Sequence, residues 1–269
     1  MKSQEVLILT RKPEIHSSRR LVQVLQRRNV SFRIEDPETP FLDEPSVVYP
    51  RLGSWRFSET MAHLLPLSEK FRFINTPSAY QKSRNKWHAL QMLSKRQIPT
   101  PLTQMISREE FLFLSLPFPF VLKDLYGIQG MGVYLIHTQE QLNEALARHP
   151  ETQLFLVQKY IEEAHGEDLR IFITRSGNSW SMKRKNSQGD FRSNLHVGGQ
   201  AFSVEASNEE LDMAFLTLEI FQLDYAGVDI LRSTDGPLMI EVNPCPGFEG
   251  LESLHGPVIA EALLDLLKN

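Results

Sequence analysis

The sequence predicts a mixed α/β chain, a small parallel βαβ unit followed by α+β units built on hairpins. Three observations carry this. Short apolar runs alternate with helix-spaced segments through the first third. Turn-centred hairpins mark residues 171–185 and 226–243 of the last third. A composition of 41% hydrophobic and 23% charged residues over 269 positions supplies ample core material without metal or disulfide staples.

Taken in order, residues 6–10 form a short apolar run that reads as a buried first strand. Residues 17–28 place Leu21, Val22, Val24 and Leu25 at helical spacing, and 32–35 and 47–49 read as the next two strands. Strand–helix–strand at this spacing implies a parallel sheet. Residues 58–70 are expected to be helical. A boundary falls at Asn75-Thr76-Pro77-Ser78, where Thr76 or Ser78 can cap a helix that continues through 83–97 and ends at Pro99. Strands are expected at 117–123, 133–136 and 154–161. Thr138 and Gln141 form a capping box for a helix over 139–148. The last third reads as strands at 171–174, 179–185, 227–232 and 237–242, with helices over 209–221 and 259–268.

Several function classes are disfavoured. Cys245 is the single cysteine, so no internal disulfide forms and a reducing compartment is expected. The N-terminal apolar run is too short for a signal-peptide core, and no run approaches a membrane span. A cytoplasmic protein is expected. The net charge of −4 gives no general pull toward nucleic acid.

The hairpin at 226–243 carries the clearest chemistry. A three-residue loop, Thr234-Asp235-Gly236, pairs Ser233 with Pro237 and sets Asp229 opposite Glu241. Glu241 and Asn243 share a face by strand alternation. Two carboxylates and an amide oxygen then converge, and facing anions call for a cation between them. Incomplete oxygen coordination suits magnesium that shares phosphates. The plainer reading is an exposed acidic face. The glycine loop 127–132 lies between two strands, so it matches neither a P-loop nor a dinucleotide fingerprint. Its bare backbone, including Gly130, can still approach phosphates, although a flexible hairpin is the commoner meaning. Lys123, at the end of the strand before it, and Lys86, near a helix start where a lysine opposes the dipole, are candidate phosphate ligands. The alternatives are a snorkelling lysine and a solvated one.

An ordered set of motifs resembles the ATP-grasp superfamily, and within it the RimK-type glutamate ligases. These are Phe120-Val121-Leu122-Lys123 with the glycine loop, Val157-Gln158-Lys159-Tyr160-Ile161, Gly166-Glu167-Asp168-Leu169-Arg170, Gly189-Asp190-Phe191-Arg192-Ser193-Asn194-Leu195-His196, Ala226-Gly227-Val228-Asp229-Ile230-Leu231 and Glu241-Val242-Asn243. The resemblance implies an ATP-grasp fold with an N-terminal βαβ unit (1–76), a small lid with the glycine loop (77–158) and a C-terminal unit with the metal site (159–269). It implies ATP as cosubstrate, with Lys86 and Lys123 on phosphates, Gly130 over them, Lys159 and Tyr160 along the adenine and Asp168 at the ribose. Arg192, Ser193 and Asn194 would line the phosphate and acyl-transfer region. Asp229, Glu241 and Asn243 would hold magnesium, with manganese as the alternative cation. Lys159 departs from the family, which often has glutamate there.

The implied activity joins a carboxylate to an amine through an acyl-phosphate, with an amino acid such as glutamate as the amine. Arg170, Arg184 and Arg192 are the candidates to stabilise the tetrahedral intermediate and grip a carboxylate. Arg184 could equally belong to a solvated run, Lys183-Arg184-Lys185, or to a docking patch for an acidic partner. His196 is either a loop residue or part of a cover over the substrate. Cys245 is expected to be structural. A peptide or carrier-protein acceptor, a non-catalytic nucleotide-binding scaffold and a homo-oligomer remain open.

Overall fold

A computed structural model describes residues 5–39, 44–53, 55–114, 116–125, 132–195 and 198–268. The chain begins with β1 (Glu5–Leu9), α1 (His16–Arg27), β2 (Ser31–Glu35), β3 (Val47–Pro50) and α2 (Phe57–Leu67). The three strands form a parallel sheet in the order β2-β1-β3. Unbroken apolar runs in β1 and β3 suit a sheet buried on both faces. Val6, Ile8, Val47 and Tyr49 join Leu21 and Val24 of α1 in one core. Leu7, Leu9 and Val48 join Met61 and Leu64 of α2 in another.

Next come α3 (Pro77–Arg84) and α4 (Lys86–Lys95). Thr76 caps α3 through the Ala79 N–H, with Pro77 at the first helical position. The single helix expected through residue 97 is interrupted by Asn85, whose extended backbone ends α3 and whose side chain accepts from the His88 N–H to start α4. Two packed helices therefore replace one.

The second sheet is antiparallel and contains β4 (Thr103–Ile106), β5 (Phe120–Asp124), β6 (Val133–Ile136) and β7 (Phe155–Lys159), in the order β4-β7-β5-β6. Helix α5 (Gln139–Ala147), started by Thr138, covers one face through Leu142, Ala145 and Leu146. Alternation sends Phe120, Leu122, Phe155 and Val157 to that face. Lys123 and Gln158 go to the other, which also presents Met105 and Leu156 to Trp87 and Leu90 of α4. Gly132 adopts φ +69°, and a Cβ there would meet Asp124 Cβ at 2.7 Å. The loop tip preceding it, with Gly127 and Gly130, lies outside the described residues.

The third sheet is also antiparallel. It orders β8 (Glu167–Thr174), β9 (Ser179–Asn186), β10 (Gly199–Ser203), β11 (Tyr225–Ser233) and β12 (Gly236–Asn243) as β10-β9-β8-β11-β12. Helix α6 (Asn208–Phe221) follows β10, and α7 (Glu249–His255) and α8 (Ile259–Asp265) follow β12. Ser207 and Glu210 form a reciprocal capping box on α6. Leu169, Ile171, Ala226, Val228, Ile230 and Val242 pack one face of the sheet against α6 and against Ala79, Ala89 and Leu93 of α3 and α4. The α3–α4 pair therefore packs on this sheet, although the 77–158 boundary assigned it to the lid. The other face is divided. Phe172, Met182 and Tyr225 join the N-terminal unit, α7 and α8, and the remainder is charged.

One tether connects the approach to the lid with this frame: the Met239 N–H of β12 donates to the Pro99 carbonyl at 2.8 Å. The Lys159 N–H, donating to the Leu102 carbonyl at 2.8 Å, extends the β4–β7 pairing within the small sheet. A fully buried Asn75 fixes the neighbouring strands. Its Nδ2 donates to the carbonyls of Tyr225 and Pro244 at 2.9 and 2.8 Å, and its Oδ1 accepts from the N–H groups of Asp224 and Tyr225. Truncation would leave four buried backbone groups with a lost partner, each worth about 1–3 kcal/mol. Asn75→Ala is expected to lower stability by roughly 3 kcal/mol or more, as measured by urea denaturation.

Candidate active site

The charged half of the five-stranded sheet follows from register. Asp168 and Arg170 alternate with Leu169 and Ile171 along β8, so they point away from α6. Arg170 pairs with Asp229, and Asp168 with Arg184. The four side chains are 3–8% exposed and form one network. Arg170 holds both carboxylate oxygens of Asp229, with Nη2 at 2.7 Å from Oδ2. Arg184 Nη2 reaches the same Oδ2 at 2.9 Å, and its Nε reaches Asp168 Oδ1 at 2.7 Å. Burial pushes the Asp229 carboxyl up, but Arg170 and Arg184 outweigh it and the pKa falls to about 2.

Arg184 is thus no member of a solvated run. Its neighbours Lys183 and Lys185 pair with Glu167 on the opposite side of the strand. Asp168, expected at a ribose, is committed to Arg184.

Asp229 does pair with Glu241, but not by the expected loop. The turn holds two residues, with Ser233 opposite Gly236, and a bulge beside Asp229 and Ile230 restores the pairing. The cations that relieve the crowding of carboxylates here are the two guanidiniums. Asn243 sits opposite Gly227 and accepts the Cys245 N–H at 2.9 Å. A side chain at Gly227 would strike Pro246, with Cβ atoms 2.7 Å apart, so glycine lets the 244–246 turn lie across β11.

The trio fits a hard cation. Glu241 is exposed and, among the described residues, carries no hydrogen bond or ion pair. A carboxylate offers about four lone-pair directions, and three N–H contacts leave Asp229 one. Asn243 Oδ1 keeps a second lone pair. Hard oxygen donors with room for phosphate oxygens are what magnesium takes.

Lys123 faces this trio from the lid. Its ammonium donates to Gln158 Oε1 at 2.6 Å, and Gln158 Nε2 donates to Thr103 Oγ1 at 2.8 Å. Burial lowers the Lys123 pKa to about 8; Glu241 raises it, Lys86 lowers it and Asp229 raises it. Glu241, Lys86 and Asp229 therefore all lie within electrostatic reach of Lys123. Lys86 is the first residue of α4, in the turn that Asn85 caps through the His88 N–H.

The remaining candidates among the described residues lie at the end of β7 and in the segments that follow β7 and β9. Lys159 is exposed at the end of β7, with its N–H spent on Leu102. The Tyr160 hydroxyl bonds His165. Arg192 pairs with Asp190 of its own loop, Nη2 to Oδ2 at 2.6 Å. Ser193 is buried beneath it, and Asn194 accepts the Gly199 N–H through its carbonyl at 3.2 Å. Gly130 and His196 lie outside the described residues.

Sequence reasoning gave no role to Gln158 or Thr103, and it passed over Arg84 entirely. A glutamine closing the apolar run Phe155-Leu156-Val157 was the available signal, since a buried amide needs partners. Arg84 was hidden by reading one helix across Asn85.

Two antiparallel sheets, with Lys123 on one and the oxygen ligands Asp229, Glu241 and Asn243 on the other, are the arrangement of an ATP-grasp enzyme. Solved structures share the fold. D-alanine–D-alanine ligase from Bacillus anthracis, complexed with ATP, superposes with TM-score 0.76 at 16% identity, covering 99% of this chain and 96% of that one. The RimK domain ATP-grasp protein from Sphaerobacter thermophilus gives 0.75 at 18%, covering 98% and 100%. The RimK-like ATP-grasp domain matches residues 83–267, and the chain belongs to that family. Relatives named probable alpha-L-glutamate ligase, from Aeromonas salmonicida and Alkalilimnicola ehrlichii, are each 34% identical over 98% of this chain and 96% and 95% of their own.

Removing Arg184 strands Asp168 without a cation, and breaking a buried pair costs about 3–5 kcal/mol. Arg184→Met should lose that much in urea denaturation, whereas the exposed Lys183→Met should lose at most about 1 kcal/mol. The sign with pH follows from the lowered Asp229 pKa. Its contribution is present above the ordinary value of 3.8 and disappears as pH falls through about 2.

Proposed function

We propose that this ATP-grasp ligase activates a carboxylate with ATP and magnesium and joins it to the amine of an amino acid, glutamate being the first candidate. The observation that carries the reading is the convergence of Lys123, from one sheet, on Glu241 and Asp229, from the other. Lys86 and the first turn of α4 add positive charge at the same place.

The chain's own groups divide the work. Lys123, oriented by Gln158 and Thr103, and Lys86 would take the phosphates. Glu241, Asn243 and the remaining lone pair of Asp229 would hold magnesium, which supplies charge neutralisation for the transferring phosphoryl group. Arg170 and Arg184 fix the Asp229 carboxylate so that it meets the cation in one geometry. Arg192 and Asn194 lie on the loop that would border the acyl group. The carboxylate attacks the γ-phosphorus, ADP leaves, and the amine displaces phosphate from the acyl-phosphate with loss of a proton. A lid that excludes water protects the mixed anhydride. A non-catalytic scaffold is disfavoured, because it has no use for a Glu241 without an ion pair among the described residues beside an Asp229 that keeps one lone pair. The glutamate assignment leans on the names of the relatives from Aeromonas and Alkalilimnicola.

Glu241→Gln is expected to lower amino-acid-dependent ADP release at least about 100-fold while leaving the fold intact; steady-state turnover near wild type would remove Glu241 from the metal site. Lys123 supplies a separate test. With a pKa near 8 in the free protein, it is mostly neutral at about pH 8.5 and must take up roughly 0.7 proton on meeting phosphate. Calorimetry of AMP-PNP binding in buffers of different ionisation enthalpy should show that uptake at about pH 8.5 and little at about pH 6.5. In Lys123→Arg the uptake should vanish.

A further inference from the structure

Two arginines beside the site have no part in the scheme above. Arg51 follows β3, at the C-terminal edge of the parallel sheet, and is 4% exposed. Its guanidinium bonds neutral oxygens only: Ser17 Oγ at 2.6 Å, the Pro246 carbonyl at 3.0 Å and the Tyr225 hydroxyl at 3.5 Å, and its Nε is unpartnered. Arg84 ends α3. Among the described residues it has no carboxylate within 4.0 Å. Its guanidinium lies 4.9 Å from the centre of the Phe57 ring, at the start of α2. Burial lowers its pKa, and Cys245, Tyr80 and Glu241 act in the opposite direction.

The ordinary account of Arg84 is a cation in the last turn of a helix, where the dipole favours it by about 0.3–1 kcal/mol. That account does not explain why the half-buried Arg84 guanidinium sits on a ring, since Lys82, in the same turn and also half-buried, already supplies a cation. Withdrawing a guanidinium from water without an anion is costly. The cost makes sense where an anion arrives. Glu241 lies within electrostatic reach of both Lys123 and Arg84. Contacts link Arg84 to the same place: its Phe57 seat packs in one cluster with Cys245, whose N–H donates to Asn243 Oδ1 at 2.9 Å. Open parallel sheets take ligands at the carboxyl ends of their strands, and Arg51 marks that edge here. A guanidinium held against a ring keeps N–H donors for a bidentate carboxylate.

We propose that Arg84, seated on Phe57, binds a carboxylate of the amine substrate on the N-terminal side of the metal site. The proposal rests on the ligase reading and names the substrate class as an anionic amine. The carboxylate could be the one beside the amine or one on the side chain.

Three probes separate these sources: L-glutamate, L-glutamine, which lacks the side-chain carboxylate, and L-isoglutamine, which lacks the α-carboxylate. Each is assayed as amine by ADP release and by mass spectrometry of the amide, with wild type, Arg84→Gln and Arg84→Lys. Wild type should prefer glutamate to one of the two amides by about tenfold or more in kcat/KM. Arg84→Gln should raise the glutamate KM by about tenfold or more and reduce that preference to about twofold, while Arg84→Lys restores part of it. AMP-PNP affinity in the presence of magnesium should stay within about twofold of wild type, which also shows that the variant is folded. A glutamate KM unchanged in Arg84→Gln overturns the proposal, and so does a loss of AMP-PNP affinity, which would assign Arg84 to the nucleotide. If wild type releases no ADP with any probe, the ligase reading fails for these amines, and binding is read directly by saturation-transfer NMR with AMP-PNP and magnesium. Glutamate binding to wild type but not to Arg84→Gln then supports the anion site, and absence of binding to wild type overturns it.

Discussion

The site depends on a charge balance buried in one face of a sheet. Asp168, Arg184, Asp229 and Arg170 occupy adjacent positions on three strands, and each carboxylate meets a guanidinium in near-planar pairing. An isolated carboxylate at the Asp229 depth would protonate, and an isolated arginine would demand an anion. Together they stay ionised. The result is a fixed carboxylate within electrostatic reach of the lid lysine, the pairing of charges that nucleotide phosphates and a divalent cation call for. Substrate binding then adds charge to a prearranged framework rather than rearranging one, which keeps reorganisation out of the reaction.

The lid contributes in the same manner. Lys123 does not wave freely at the end of β5. Gln158 receives its ammonium, and Thr103 receives the Gln158 amide, so three strands of the small sheet aim one charge. Its lowered pKa reflects a cation kept partly dry until phosphate arrives. Asn75 acts on the other side of the ligand set, next to Asn243, locking the start of β11 to the turn after β12. The two strands that present oxygen ligands are thus pinned at one end by an amide and along their length by the guanidinium network.

Much of this was legible in the residues. Alternation in the 226–243 hairpin placed Asp229 against Glu241 and beside Asn243, and the one-residue difference in the reversal did not matter because the bulge beside Asp229 restores the parity. The lysine before the glycine turn was legible for a similar reason: one charged residue ends an apolar strand. The ion network was not. Asp168, Arg170 and Arg184 are far from Asp229 in sequence, and only the order β9-β8-β11 brings them together. Short β4 and β10 lacked enough apolar periodicity to announce themselves. The break at Asn85 was concealed because an asparagine inside a helical pattern is tolerable, and only the cap it makes with His88 reveals two helices.

The bulge in the last hairpin has a consequence for reading related chains. A tight two-residue reversal plus one extra residue in β12 yields the same facing pair as a looser three-residue reversal with none. Gaps aligned at residues 234–236 are therefore silent at the cation end, provided a compensating irregularity lies between the reversal and Asp229. Changes in parity without such compensation would turn one acid toward α6, and those are the sequences in which the catalytic face would be lost.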